Sequence, residues 1–89
     1  MSKVSEDIEA RVREAVEKHG PFGTTVKHGT FGAEYREPCW PEVLGVLMEE
    51  FHEFQLEVFK QYRHRESLRS ELLDIAAVCY KAIEQMDNG

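Results

Sequence analysis

The feature that most limits how this chain can fold is a pair of acid clusters set inside helical patterns. Residues Glu49 to Asp74 contain Glu49-Glu50-x-x-Glu53 and Glu71-x-x-Asp74. Positions three or four apart share one face of a helix. At about 100° per residue, Leu47, Phe51, Phe54 and Val58 form an apolar stripe, with Glu50, Glu53 and Glu57 along its shoulder. In the second segment Leu68, Ile75, Cys79, Ala82 and Met86 form the stripe, and Glu71, Asp74, Val78 and Lys81 run beside it. Packing the two stripes in an antiparallel hairpin turns the acidic shoulders toward each other. A turn centred near His64 puts Glu57 opposite Glu71 and Glu53 about level with Asp74.

A solvated helix face is the plain alternative, but such a face tends to place Lys or Arg four residues after Glu. Here Glu49, Glu53 and Glu57 follow one another at that spacing with one sign of charge. Each like-charge pair destabilises a helix by roughly 0.2–0.5 kcal/mol. Glu71 and Asp74 add to the same side, so the arrangement calls for a compensating cation. Hard oxygen ligands without convergent His or Cys favour Mg²⁺, with Mn²⁺ as the alternative, over zinc.

The two motifs resemble those of the MazG-like, all-α nucleoside triphosphate pyrophosphohydrolases. The matching residues are Glu49, Glu50, Glu53, Glu71 and Asp74, followed by the apolar run Leu72-Leu73-Asp74-Ile75-Ala76-Ala77-Val78. The resemblance spans Val43 to Met86, about half the chain. It implies Mg²⁺-dependent hydrolysis of a nucleoside triphosphate to the monophosphate and pyrophosphate. It further implies Glu50, Glu53, Glu71 and Asp74 as metal ligands and Glu49, Glu50 and Glu53 as the catalytic carboxylates, with Glu49 at the edge. Phosphoribosyl-ATP pyrophosphatases are similar in size and acidic motif, but the continuation Ile75-Ala76-Ala77-Val78-Cys79-Tyr80-Lys81 departs from theirs. The contrasting class is a non-catalytic helical interaction module whose acids are surface charges.

The 89 residues make one small domain, read as a single unit with a first helix in 1–20, a loop in 21–40 and a motif-bearing helical hairpin in 41–86. The expected fold is all-α, a small antiparallel bundle of three helices. A chain this short buries only about 60% of the surface it exposes when unfolded. Leu73, Ala76, Ala77 and Tyr80 lie opposite the main stripe of the third helix. A helix apolar on several sides is buried on several sides, which predicts a homodimer or homotetramer with these four residues in its interface. A net charge of −6 argues against nucleic-acid polymers and membrane surfaces, which attract basic patches. A nucleotide substrate remains compatible, because bound Mg²⁺ supplies positive charge. The N-terminus is charged and amphipathic, unlike a signal peptide, and the expected location is the cytoplasm.

Ser5 to His19 reads as the first helix, stopped by Gly20-Pro21. Residues 21–40 carry glycines, Pro38 and the aromatics Phe22, Phe31, Tyr35 and Trp40 without clear periodicity, and no GxxxxGK[ST] phosphate loop. The aromatics either close over the core or, for Trp40 or Phe31, stack on a nucleobase. Pro41 suits the start of a second helix running to about Tyr62, and Ser67 suits the cap of a third reaching about Met86. Gly45, inside the second helix, marks either a close neighbour or a tolerated glycine. Arg63, His64, Arg65 and Arg69 form a basic cluster, read as a solvated turn or as a phosphate contact. Lys81 lies on the acidic shoulder, where it either neutralises the carboxylates or binds a substrate phosphate. His52-Glu53 opens like a zinc-protease motif, but Leu56 stands where the second His belongs. Cys79, on the expected stripe, reads as a buried free thiol.

Overall fold

A computed structural model of the chain describes residues 2–28, 30–60, 62 and 64–88, with the side chains of Thr30 and Tyr35 also left aside. Arg63 of the expected basic cluster lies outside the described residues.

Helix α1 spans Lys3–His19. It starts two residues earlier than the apolar pattern suggests because the Ser2 hydroxyl accepts from the Ser5 amide at 3.2 Å and caps the first turn. Gly20 ends it with φ 73° and ψ −179°, a conformation almost confined to glycine, and its amide donates back to the Val16 carbonyl at 2.8 Å.

The expected loop over 21–40 is instead largely a β-hairpin. Strand β1, Thr24–His28, pairs antiparallel with β2, Glu34–Pro38, in a register running from Thr24 opposite Pro38 to His28 opposite Glu34. Thr24, Thr25 and Val26 are β-branched and suit a pleated strand. The signal is weak in sequence because no two-residue Asn-Gly or Asp-Gly turn joins the strands. A short 3-10 turn over Thr30–Gly32 stands at the tip, where Phe31 has φ 64° and is fully exposed. Every residue of β1 is exposed. The hairpin base is buried at Pro38 and is tied down by the Cys39 amide, which donates to the Gly23 carbonyl at 2.6 Å.

Helix α2 spans Trp40–Val58 and α3 spans Arg65–Asn88. α2 stops short of Tyr62, where the Phe59 and Lys60 amides close on the Gln55 and Glu57 carbonyls and a Glu57–Lys60 ion pair at 2.7 Å tightens the turn. α3 begins before Ser67, so that residue sits within the first turn and is not the cap. Gly45 has open space where a Cβ would stand, so no close neighbour explains it.

The core is small and sits at one end of the α2–α3 pair. Phe22, Val43, Val78 and Ala82 are buried together, with Val46 and Leu47 packed against them. That contact fixes the rotation of α2 differently from the expected stripe. At about 100° per residue, Glu50 lies about 20° from Val43, whereas Phe51 lies about 80° away. Phe51 is therefore 53% exposed, and Glu50 occupies the inner face instead of the shoulder.

α1 packs along α3 and covers part of the surface that sequence assigned to a partner subunit, leaving Ala76 half-buried and Tyr80 exposed. Leu73 and Ala77 are buried within the chain, as is Val12 of α1. Arg11 bonds Asp74 and Ser70, and Arg69 bonds Asp7 at 2.7 Å. The flank of α3 that carries Leu72, Cys79, Ile83 and Met86 is left exposed, so Cys79 is an exposed thiol and not a buried one. No helix among the described residues is long and apolar enough to cross a membrane.

Phe22 is held by both arms of one side chain. Its amide donates to Gln85 Oε1 at 2.8 Å and its carbonyl accepts from Gln85 Nε2 at 3.0 Å. Removing a partner from buried backbone groups costs about 1–3 kcal/mol. Gln85→Ala is expected to lower stability by about that amount, measured by urea unfolding, whereas an unchanged midpoint would show that the clamp is dispensable.

Candidate metal centre

Glu50 and Glu53 come from α2, Glu71 and Asp74 from α3. Each pair is spaced three apart, so each occupies one helix face, and the antiparallel packing turns the two faces together. One carboxylate oxygen from each of the four lies within 4.8 Å of the others. Glu50, Glu71 and Asp74 are half-buried, and Glu53 is exposed.

The electrostatics of this quartet are unfavourable in the absence of a cation. Glu50 Oε2 and Glu71 Oε2 are buried without a hydrogen-bond partner among the described residues. Burial pushes the Glu50 carboxyl up to about 7, helped by the nearby charges of Glu53, Asp74 and Glu71. Burial likewise raises Glu71, with Asp74, Glu53 and Glu57 adding to the effect. The one basic group in ion-pair contact with the quartet among the described residues is Arg11, through Asp74. Two orphaned buried oxygens converging with two further carboxylates suit a hard divalent ion such as Mg²⁺ or Mn²⁺.

A cavity of about 370 Å³ adjoins the quartet on the side of α1. Glu42, Glu49, Glu50 and Asp74 are its acidic lining, and Arg11, His19, Phe22 and Lys81 also face it. Lys81 is buried, with its Nζ 4.1 Å from the centroid of the Phe22 ring. Burial lowers its ammonium from the ordinary lysine value, against a smaller opposite effect of Glu42.

The structure thus brings together Glu50, Glu53, Glu71 and Asp74 as the sequence predicts. Glu49 lines the cavity, exposed, outside the quartet. Glu57 is buried but occupied by Lys60, and does not join the ligand oxygens. Trp40 is half-exposed at the start of α2, does not line the cavity, and donates its indole N–H to Glu37 at 2.9 Å. Arg11 and Ser70 were not legible as site residues, although Arg11 stands three after Ile8 and four before Ala15, on the inner stripe of α1. Comparison with protein-family models, with curated proteins and with solved structures found no match.

The raised Glu50 carboxyl makes stability depend on pH. An unfolded glutamate titrates near 4.5, and the folded one near 7. Between those values the folded chain holds the extra proton, so raising the pH through this window lowers stability. Thermal melts of metal-free protein should show the melting temperature falling between about pH 5 and pH 8, with Glu50→Gln removing much of the fall. Mg²⁺ should restore stability most at the alkaline end, because it competes with protons for the same oxygens. A flat wild-type profile would refute the coupling.

Proposed function

We propose that the protein is a Mg²⁺-dependent nucleoside triphosphate pyrophosphohydrolase of the MazG-like kind, acting in the cytoplasm. The observation that supports this most is the quartet itself, four carboxylates from two antiparallel helices with two buried oxygens lacking partners. Glu50, Glu53, Glu71 and Asp74 would hold Mg²⁺, or Mn²⁺ in its place. When bound, the ion would supply Lewis-acid stabilisation of phosphate charge and a more acidic water.

The chain's own residues have distinct tasks in this reading. Glu53, the exposed member of the quartet, and Glu49 on the cavity wall would orient a water and accept its proton. Lys81 offers its ammonium to a phosphate oxygen from the cavity side. A site of this size and mixed lining is in the range of small-molecule pockets, about 300–1,000 Å³. Trp40, with its indole engaged at the foot of the hairpin, is not assigned to the nucleobase.

The reading includes self-association. Leu44, Met48 and Phe51 on α2 and Leu72 and Ile83 on α3 are each more than half exposed. These residues, and not the internally buried Leu73 and Ala77, are the apolar surface that a second copy would cover. Sedimentation at micromolar concentration should give a dimer or tetramer, reduced to monomer by Phe51→Glu. A wild-type monomer would refute this part.

The chemistry has its own test. With Mg²⁺ the protein should release pyrophosphate, and not orthophosphate, from at least one nucleoside triphosphate, and EDTA should abolish the release. Glu53→Gln should cut turnover steeply while leaving the metal-free fold intact or slightly firmer, because like-charge contacts of roughly 0.2–0.5 kcal/mol each are relieved. Mg²⁺ should raise the melting temperature of wild type much more than that of the variant. Equal Mg²⁺ stabilisation of the two proteins would place the ion elsewhere and favour the non-catalytic interaction module.

A further inference from the structure

Arg11 ties the first helix to the acidic quartet. Its guanidinium donates to Asp74 Oδ1 through Nη1 and to Ser70 Oγ through Nη2, the second bond at 3.0 Å. Both Arg11 and Asp74 keep 31% of their side-chain surface exposed, and both border the cavity. Among the described residues no other cation pairs with a quartet carboxylate. A guanidinium on Asp74 and a divalent ion held by the same carboxylates are like charges that compete for one anion.

Lys81 also lines the cavity. It is 8% exposed, lies over the Phe22 ring, and has no carboxylate partner among the described residues. The cavity therefore holds one buried cation that makes no ion pair among the described residues, although Glu42 acts on it from the same wall, and a second whose counter-ion an incoming metal would claim.

We propose that Arg11 is exchangeable: metal entry at the quartet displaces its guanidinium from Asp74, and the freed group joins Lys81 in an anion subsite for a phosphate of the substrate. This second role presupposes the metal reading above. The displacement needs only a side-chain rotation, since Arg11 already faces the cavity and is a third exposed. A planar guanidinium fork matches a phosphate in two-pronged fashion, as it matches a carboxylate. Metal and phosphate binding are then positively linked, each favouring the other by the same factor. The phosphate subsite is complete only once the quartet is loaded.

Calorimetry on the full chain tests this with Mg²⁺ alone, then with inorganic phosphate at saturating Mg²⁺. Arg11→Met should bind Mg²⁺ at least about fivefold more tightly and phosphate at least about fivefold more weakly than wild type. Arg69→Met removes the same charge from the same helix interface, but Arg69 pairs with Asp7 and with no quartet carboxylate among the described residues, so this variant should match wild type. In wild type, Mg²⁺ should also shift the Arg11 side-chain Nε–H resonance, identified by its absence from the Arg11→Met spectrum. Unchanged or weaker Mg²⁺ binding by Arg11→Met would mean that Arg11 stays on Asp74 as a support, and overturns the exchange. Unchanged phosphate affinity overturns it as well. Should Arg11→Met not fold, Ser70→Ala removes only the tether and should tighten Mg²⁺ binding in the same direction; unchanged or weaker binding there overturns the proposal equally. A wild type that binds no Mg²⁺, or binds it undiminished after Glu53→Gln, overturns the metal reading itself. Wild-type binding that Glu53→Gln abolishes and Arg11→Met leaves alone overturns only the exchange.

Discussion

Mutual repulsion among four carboxylates across the α2–α3 contact governs the molecule around them. Two unit charges 4 Å apart interact by about 4 kcal/mol at an effective dielectric constant of 20. The quartet oxygens lie within 4.8 Å of one another, so ionising them together is unfavourable, least so for the exposed Glu53, which solvent screens. The apolar contact that holds the two helices together is modest: Phe22, Val43, Val78 and Ala82, with Val46 and Leu47 beside them. Burying a large apolar side chain contributes about 1.5–3 kcal/mol. The raised Glu50 and Glu71 carboxyls and the Arg11 contact to Asp74 relieve part of the repulsion from within the chain.

The acidic face was legible in the sequence because charge and helical spacing agree. Glu50, Glu53, Glu71 and Asp74 needed only the antiparallel packing of two helices to meet, and adjacent helices joined by a short turn pack that way. The precise rotation of α2 was not legible. Phe51 looks like a core residue by composition, but the burial of Val43 and Val46 against Phe22 and α3 turns it outward and turns Glu50 in. Periodicity ranks apolar residues above acids, and a site that buries acids reverses that ranking.

The role of α1 was hidden for a related reason. Its stripe of Ile8, Val12, Ala15 and Val16 announces an amphipathic helix, but nothing local says which neighbour it covers. The broad apolar circumference of α3 pointed to a second subunit, whereas α1 already covers Leu73 and Ala77, and Arg11 and Arg69 fix the pairing through contacts distant in sequence. The hairpin was missed because its strands are short and its connecting turn lacks the glycine dipeptides that usually betray one. Its strand β1 buries nothing, so no alternation of apolar and polar residues marked it.

The quartet and the cavity beside it draw on different stretches of the chain to different degrees. All four quartet carboxylates lie between Glu50 and Asp74, within one helical hairpin. The wall of the neighbouring cavity is shared: Arg11, His19 and Phe22 come from α1 and the segment after it, and Glu49, Val78 and Lys81 come from the hairpin. Gln85 then fastens Phe22 from the far end of α3. Sequence drift in the N-terminal helix and its exit would remodel the shape offered to a ligand while leaving the charged hairpin untouched. The α1 side of the cavity and the charged quartet can therefore vary in part independently, and the contact between Arg11 and Asp74 joins them at the cavity rim.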